Sequence, residues 1–191
     1  MVEAYSFSYD VETGFTPARP VRKRYLSDMK GYFYRHDLVE GMLGKGVNPL
    51  IYEYTEVENP QKEGHLNIGW TKIYPGKVGD EYYMTRGHFH KVEASGEVYI
   101  GLRGEGIVLT QTRDGKCVHA EIAEGKIVYV PPGVAHRTVN TGDKPLIFLY
   151  IYPSYSGHDY GTIAELGFAK LVVERDGKPT LIDNPRYKTK G

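Results

Sequence analysis

From residue 49 onward the chain is a close succession of short runs rich in Ile, Val, Tyr, Phe and Thr, each stopped by a turn signal. The runs fall at 50–55, 68–74, 82–90, 97–102, 106–112, 118–122, 127–130, 136–140 and 146–152. Segments this short and this rich in β-branched and aromatic residues favour strands over helices. The stops are Pro75-Gly76, Arg113-Asp114-Gly115-Lys116, Glu124-Gly125 and Thr141-Gly142-Asp143. Asp-Gly between alternating runs is a strong hairpin signal. Many short antiparallel strands so spaced build a sandwich or a barrel, so the predicted fold class is all-β with a jelly-roll-like barrel.

The core of that barrel spans about 49–153. Residues 1–48 form an N-terminal extension that is mostly irregular, with a strand-like piece at 5–9 and short helical turns at 27–30 and 37–43. Residues 154–191 form a C-terminal extension with a helical turn at 162–166 and a hairpin, where 171–175 passes through Asp176-Gly177 into 179–182. The expectation is one domain over 1–191, since this length fits one well-filled core.

Charge excludes several classes of partner. Lys+Arg and Asp+Glu both number 24, so no global field draws nucleic acid or an anionic membrane. The triplet Arg22-Lys23-Arg24 reads as a solvated face. No apolar run reaches the length of a membrane span, and the first residues, Met1-Val2-Glu3-Ala4-Tyr5-Ser6, lack a signal-peptide layout. The single Cys117 rules out an internal disulfide and fits a reducing compartment. A cytoplasmic protein is the expectation.

Four residues point to metal chemistry. His88 and His90, at i and i+2 on an extended segment, project from one face and reach one point. Glu97 follows seven residues after His90, and His136 lies within Gly125-x5-Pro131-Pro132-Gly133-x2-His136-x3-Asn140. Pro131 and Gly133 supply the fixed and the permissive φ that bend the backbone before His136. His-x-His alone is common, but the second cluster adds a third imidazole on a strand–turn–strand. Three imidazoles and a carboxylate suit a divalent transition ion, with positions left for water or substrate.

These two clusters resemble the paired motifs of the cupin family. The second matches at every position, and the first matches at His88, His90, Glu97 and Gly104. The chain departs from the first in holding six residues between His90 and Glu97, and in having Tyr82 where the family places glycine. Thr85-Arg86-Gly87-His88-Phe89-His90 with the long spacer to Glu97-Val98-Tyr99 resembles the archaeal cupin-type glucose-6-phosphate isomerases, over nearly the whole chain. That resemblance implies conversion of glucose 6-phosphate to fructose 6-phosphate in glycolysis and gluconeogenesis. It implies one divalent ion per subunit on His88, His90, Glu97 and His136, with Fe²⁺ favoured and Zn²⁺, Mn²⁺, Ni²⁺ or Co²⁺ compatible. Glu97 and His158 are its candidate catalytic residues. Tyr52, Thr71, Thr85, Gly87, Tyr99, Tyr152, His158 and Tyr160 are its candidate sugar-phosphate contacts. Arg86 is adjacent but left out of the set, and a homodimer is expected because small barrels with extended termini pair readily.

A fold of this kind hosts many functions. A non-haem iron dioxygenase could use the same ligands with an apolar substrate, and a sugar-binding module could use the cavity without catalysis. His36, His65 and His119 lack partners in the pattern, and Cys117 lacks a neighbouring base.

Overall fold

The computed structural model describes residues 4–10 and 12–188. The ends of the 1–191 span, and part of the six residues tested for a leader, lie outside the described residues. Strand β1 (Arg22–Tyr25) leads through a 3-10 turn at Leu26–Met29 to helix α1 (His36–Gly44). The long strands β2 (Leu50–Val57) and β3 (Leu66–Ile73) follow, then the short β4 (Lys77–Val78), β5 (Glu81–Tyr82) and β6 (Phe89–His90). Next come β7 (Glu97–Arg103), β8 (Glu105–Gln111), β9 (Cys117–Ala123), β10 (Ile127–Val130), β11 (Ala135–Asn140) and β12 (Leu146–Pro153). The chain finishes with β13 (His158–Asp159), helix α2 (Tyr160–Leu166), β14 (Lys170–Arg175) and β15 (Lys178–Asp183).

One sheet runs β1-β2-β3-β12-β7-β10 and a second runs β11-β8-β9. Isolated bridges Met84↔Val139 and His88↔His136 add the 81–90 segment beside β11. Counting β3, that segment and β7 through β12 as eight strands, the first sheet orders them one-eight-three-six and the second two-seven-four-five. This is the jelly-roll order of two interlocked Greek keys. A two-stranded sheet, β13-β6, and a four-stranded one, β15-β14-β5-β4, complete the pairing, and among the described residues the ladders do not close into a continuous barrel. Ile73, Leu146 and Phe148 of the first sheet meet Val108, Ile122 and Val139 from the second in one core.

Local chemistry explains the turns. Asp176 and Gly177 both take positive φ, 51° and 73°, the signature of a two-residue type I′ hairpin joining β14 to β15. Along β7 the inward residues Glu97, Tyr99 and Gly101 are buried, alternating with half-buried Val98, Ile100 and Leu102.

Three expectations from sequence fail. Residues 5–9 form no strand; Phe7 and Tyr9 instead set their rings against Trp70, at 5.8 and 5.3 Å, on the outer face of the first sheet. The 82–90 run is two short strands, because Gly87 takes φ +75° and breaks the alternation between them. The irregular N-terminal extension contains β1, which pairs Arg24 with Tyr52 of β2. A triplet read as a solvated face therefore sits on a sheet edge, with Arg24 donating to the Tyr54 hydroxyl at 3.1 Å.

Strand β5 carries a buried acid. Glu81 accepts from the Tyr34 N–H at 2.8 Å through Oε2, while Oε1 is buried without a partner. Burial pushes its carboxyl up to about 7, although that N–H and the buried Arg137 guanidinium oppose the rise. The folded chain then holds this proton more tightly than the unfolded one, so stability falls as pH rises from about 4.5 to about 7. Glu81→Gln should flatten that slope in urea midpoints measured across the range. An unchanged slope would contradict the assignment.

Candidate metal centre and active-site cavity

The four predicted ligands come from three neighbouring segments. His88 and His136 exchange backbone hydrogen bonds at 3.2 and 3.0 Å, which clamps the 81–90 segment to β11. His90 ends β6 and Glu97 opens β7. One ligand atom from each of the four lies within 4.8 Å of the others, with His90, Glu97 and His136 buried.

The six-residue spacer has a use. It turns back so that the Ser95 carbonyl lies 3.0 Å from His90 Nδ1, which fixes the ring and aims Nε2 at the cluster. His90 Nε2 and His136 Nε2 approach Glu97 Oε2 at 3.3 and 3.0 Å, but without hydrogen-bond geometry. His88 Nε2, His90 Nε2, His136 Nε2 and Glu97 Oε2 are all buried and unpartnered. Four converging polar atoms left so would be costly, because buried polar groups in native proteins find partners. The donor set fits a divalent ion of borderline softness.

Electrostatics at Glu97 and His88 support the same fit. Burial alone would raise the Glu97 carboxyl, but the imidazoles of His136 and His90 outweigh it and hold it at about 2. Burial and the neighbouring imidazoles push His88 well below its usual value. For His90 burial acts downward and the Glu97 carboxylate reverses it, giving a net rise. An ionised carboxylate and a neutral imidazole are the forms that bind metal.

A cavity of about 330 Å³ opens onto this cluster, with His88 and Glu97 in its wall and His90 and His136 outside it. Tyr52, Thr71, Thr85, Gly87, Tyr99, Tyr152, His158 and Tyr160 all line it. The His158 ring lies 4.4 Å from that of His88 and stacks on Tyr160 at 5.6 Å. Burial pushes His158 down to about 4, so it is a neutral imidazole near pH 7. Burial pushes Tyr52 up to about 12 and Tyr99 well above its usual value, so both phenols keep their protons. The Tyr152 ring stacks on His90 at 5.9 Å. Gly87 is needed where it stands: a Cβ there would meet Phe168 at 2.8 Å and the His136 carbonyl at 3.0 Å.

Sequence reasoning missed part of this wall. Arg86 lines the cavity and donates to the Asp28 carbonyl at 2.6 Å. Arg22, Tyr54, Glu56, Glu58, Asn67 and Tyr150 line it too. The alternation Tyr52, Tyr54, Glu56 along β2 was the signal that could have found three wall residues together. Arg22 was hidden by its place in a segment without an obvious strand pattern. His36, His65, His119 and Cys117 stay outside the cavity wall.

A jelly roll whose polar cavity opens onto three imidazoles and a carboxylate defines a cupin. The family model described as glucose-6-phosphate isomerase matches residues 23–188. A glucose-6-phosphate isomerase of Thermococcus litoralis is 49% identical over 97% of this chain and 97% of its own. One from Pyrococcus abyssi is 48% identical over 98% of each. A solved structure of oxalate oxidase aligns with 61% of this chain and 58% of its own at a TM-score of 0.49 and 14% identity. The chain belongs to the glucose-6-phosphate isomerase family.

Proposed function

We propose that this chain interconverts glucose 6-phosphate and fructose 6-phosphate, in glycolysis and gluconeogenesis, with the four-residue cluster holding one divalent ion per subunit. The observation that carries the metal reading is the convergence of four buried, unpartnered ligand atoms from His88, His90, Glu97 and His136. Fe²⁺ is the favoured ion, with Zn²⁺, Mn²⁺, Ni²⁺ and Co²⁺ compatible with the donors. When bound, such an ion supplies Lewis-acid stabilisation of negative charge developing on substrate oxygens.

The chain's own residues do the rest. Glu97, ionised and in the cavity wall, takes a proton from one of C1 and C2 and returns it to the other through an enediol. His158, neutral and beside His88, is placed to move a proton at a sugar oxygen during ring opening. Thr71, Thr85 and the Gly87 N–H offer short donors for the phosphate, joined by the Arg86 guanidinium. Tyr52, Tyr99, Tyr152 and Tyr160 meet the sugar hydroxyls. The polar wall supports a sugar phosphate over the apolar substrate that a dioxygenase would need.

The same reading takes residues 1–191 as one domain in a reducing cytoplasm. Among the described residues no helix is long and apolar enough to cross a membrane. A homodimer is supported by Ile127 and Tyr129, 70% and 64% exposed on the edge strand β10, which a second copy would cover. Sedimentation equilibrium reads it, and a monomer at high concentration would remove it.

The reaction is tested by following fructose 6-phosphate in deuterium oxide by NMR. Glucose 6-phosphate should appear with solvent deuterium at C2. Deuterium at C2 rules out an obligatory hydride shift. Product carrying only the original hydrogen would restrict the route to a hydride shift or to a proton that Glu97 returns before exchange, and no product would remove the isomerase reading.

A further inference from the structure

A second carboxylate lines the cavity from the same sheet as Glu97, and neither ligand nor phosphate duty explains it. Glu56 lies on β2 with Tyr52 and Tyr54, and among the described residues it makes no ion pair; Arg22 pairs with Glu58 instead. Its partners are two phenols. Tyr150 donates to Oε2 at 2.9 Å, and the Tyr152 hydroxyl lies 3.1 Å from both oxygens.

A glycine makes this possible. Glu56 is paired with Gly69 on β3, and Gly69 with Tyr150 on β12. A Cβ on Gly69 would fall inside the Tyr150 ring. The bare glycine lets that ring lie across β3 and reach a carboxylate two strands away. Tyr152 gains a third contact, the Asn67 Nδ2–H donated to its oxygen at 3.1 Å.

The valences of Tyr152 can then be counted. A phenol has one proton and two directions for accepting. The proton goes to Glu56 and one accepting direction to Asn67, which leaves a single accepting direction beside the metal ligands. We propose that Glu56 is a positioning residue: it holds the Tyr152 proton in a hydrogen bond on its own carboxylate, so that Tyr152 meets the substrate only as a hydrogen-bond acceptor. This rests on the sugar-phosphate reading of the cavity, and it selects a ligand hydroxyl that must donate at that point.

Glu56→Gln is the test, because it replaces one of the two accepting oxygens with an N–H donor and removes the charge that holds both tyrosine protons. KM and kcat should be measured in the parent and in a Tyr152→Phe background. If Glu56 acts through Tyr152, kcat/KM falls about 10-fold in the parent and less than about 2-fold in Tyr152→Phe. Equal losses in both backgrounds, or no loss in the parent, overturn the proposal. The hydroxyl arrangement is also read without turnover, which separates this proposal from the isomerase reading beneath it. With ring-labelled tyrosine, Glu56→Gln should move the Cζ resonances of Tyr150 and Tyr152 while Tyr52 stays in place. Resonances that do not move overturn the proposal whether or not the parent protein isomerises sugar phosphates.

Discussion

His136→Ala should lose metal binding and turnover together while keeping its fold. The imidazole is 1% exposed and its Nε2 stands 3.0 Å from Glu97 Oε2, so its removal takes a donor from the centre of the cluster. The backbone exchange between residues 136 and 88 does not depend on the side chain, so the strand pairing survives. Three donors remain, from His88, His90 and Glu97. Lewis-acid stabilisation is worth several kcal/mol at the transition state, so turnover should fall on the order of 10³-fold. Metal content by atomic emission and turnover on the same sample decide it. Turnover at the parent rate in a metal-free His136→Ala protein would remove the metal from the account.

Glu97→Gln should separate holding the ion from moving the proton. The amide keeps one oxygen donor but carries no negative charge and accepts no proton, so some metal should remain. Removing a positioned general base costs about 10²–10⁴-fold in rate. Because the His136 and His90 imidazoles hold the Glu97 carboxyl at about 2, the parent keeps this group ionised through the ordinary working range. Any acid limb of the pH–rate profile near neutrality then belongs to another group. Parent-like turnover in Glu97→Gln would leave the carboxylate as a spectator.

How much of this was legible in the sequence depends on how local each signal is. His88, His90 and His136 are fixed by two-residue alternation and a Pro-Gly bend, both of which act within one short segment. The strands with Asp-Gly or Glu-Gly stops were visible for the same reason, and so was the all-β class. Arg86 was not, because the left-handed Gly87 turns the backbone and alternation no longer says which way its neighbour points. Glu56 and Tyr150 were not, because they meet only through a register across three strands and the missing side chain of Gly69. Phe7 and Tyr9 look like strand residues because a strand and an aromatic cover for Trp70 use the same side chains. The pairing of β1 with β2 is likewise a long-range choice that the triplet Arg22-Lys23-Arg24 does not announce.

The central claim is that an ion on the four-residue cluster is required for sugar-phosphate isomerisation. The measurement that meets it most directly is interconversion of glucose 6-phosphate and fructose 6-phosphate by chelator-treated protein, before and after addition of Fe²⁺. The account predicts activity that disappears on stripping and returns with stoichiometric metal. Full activity in protein shown to be metal-free would contradict it.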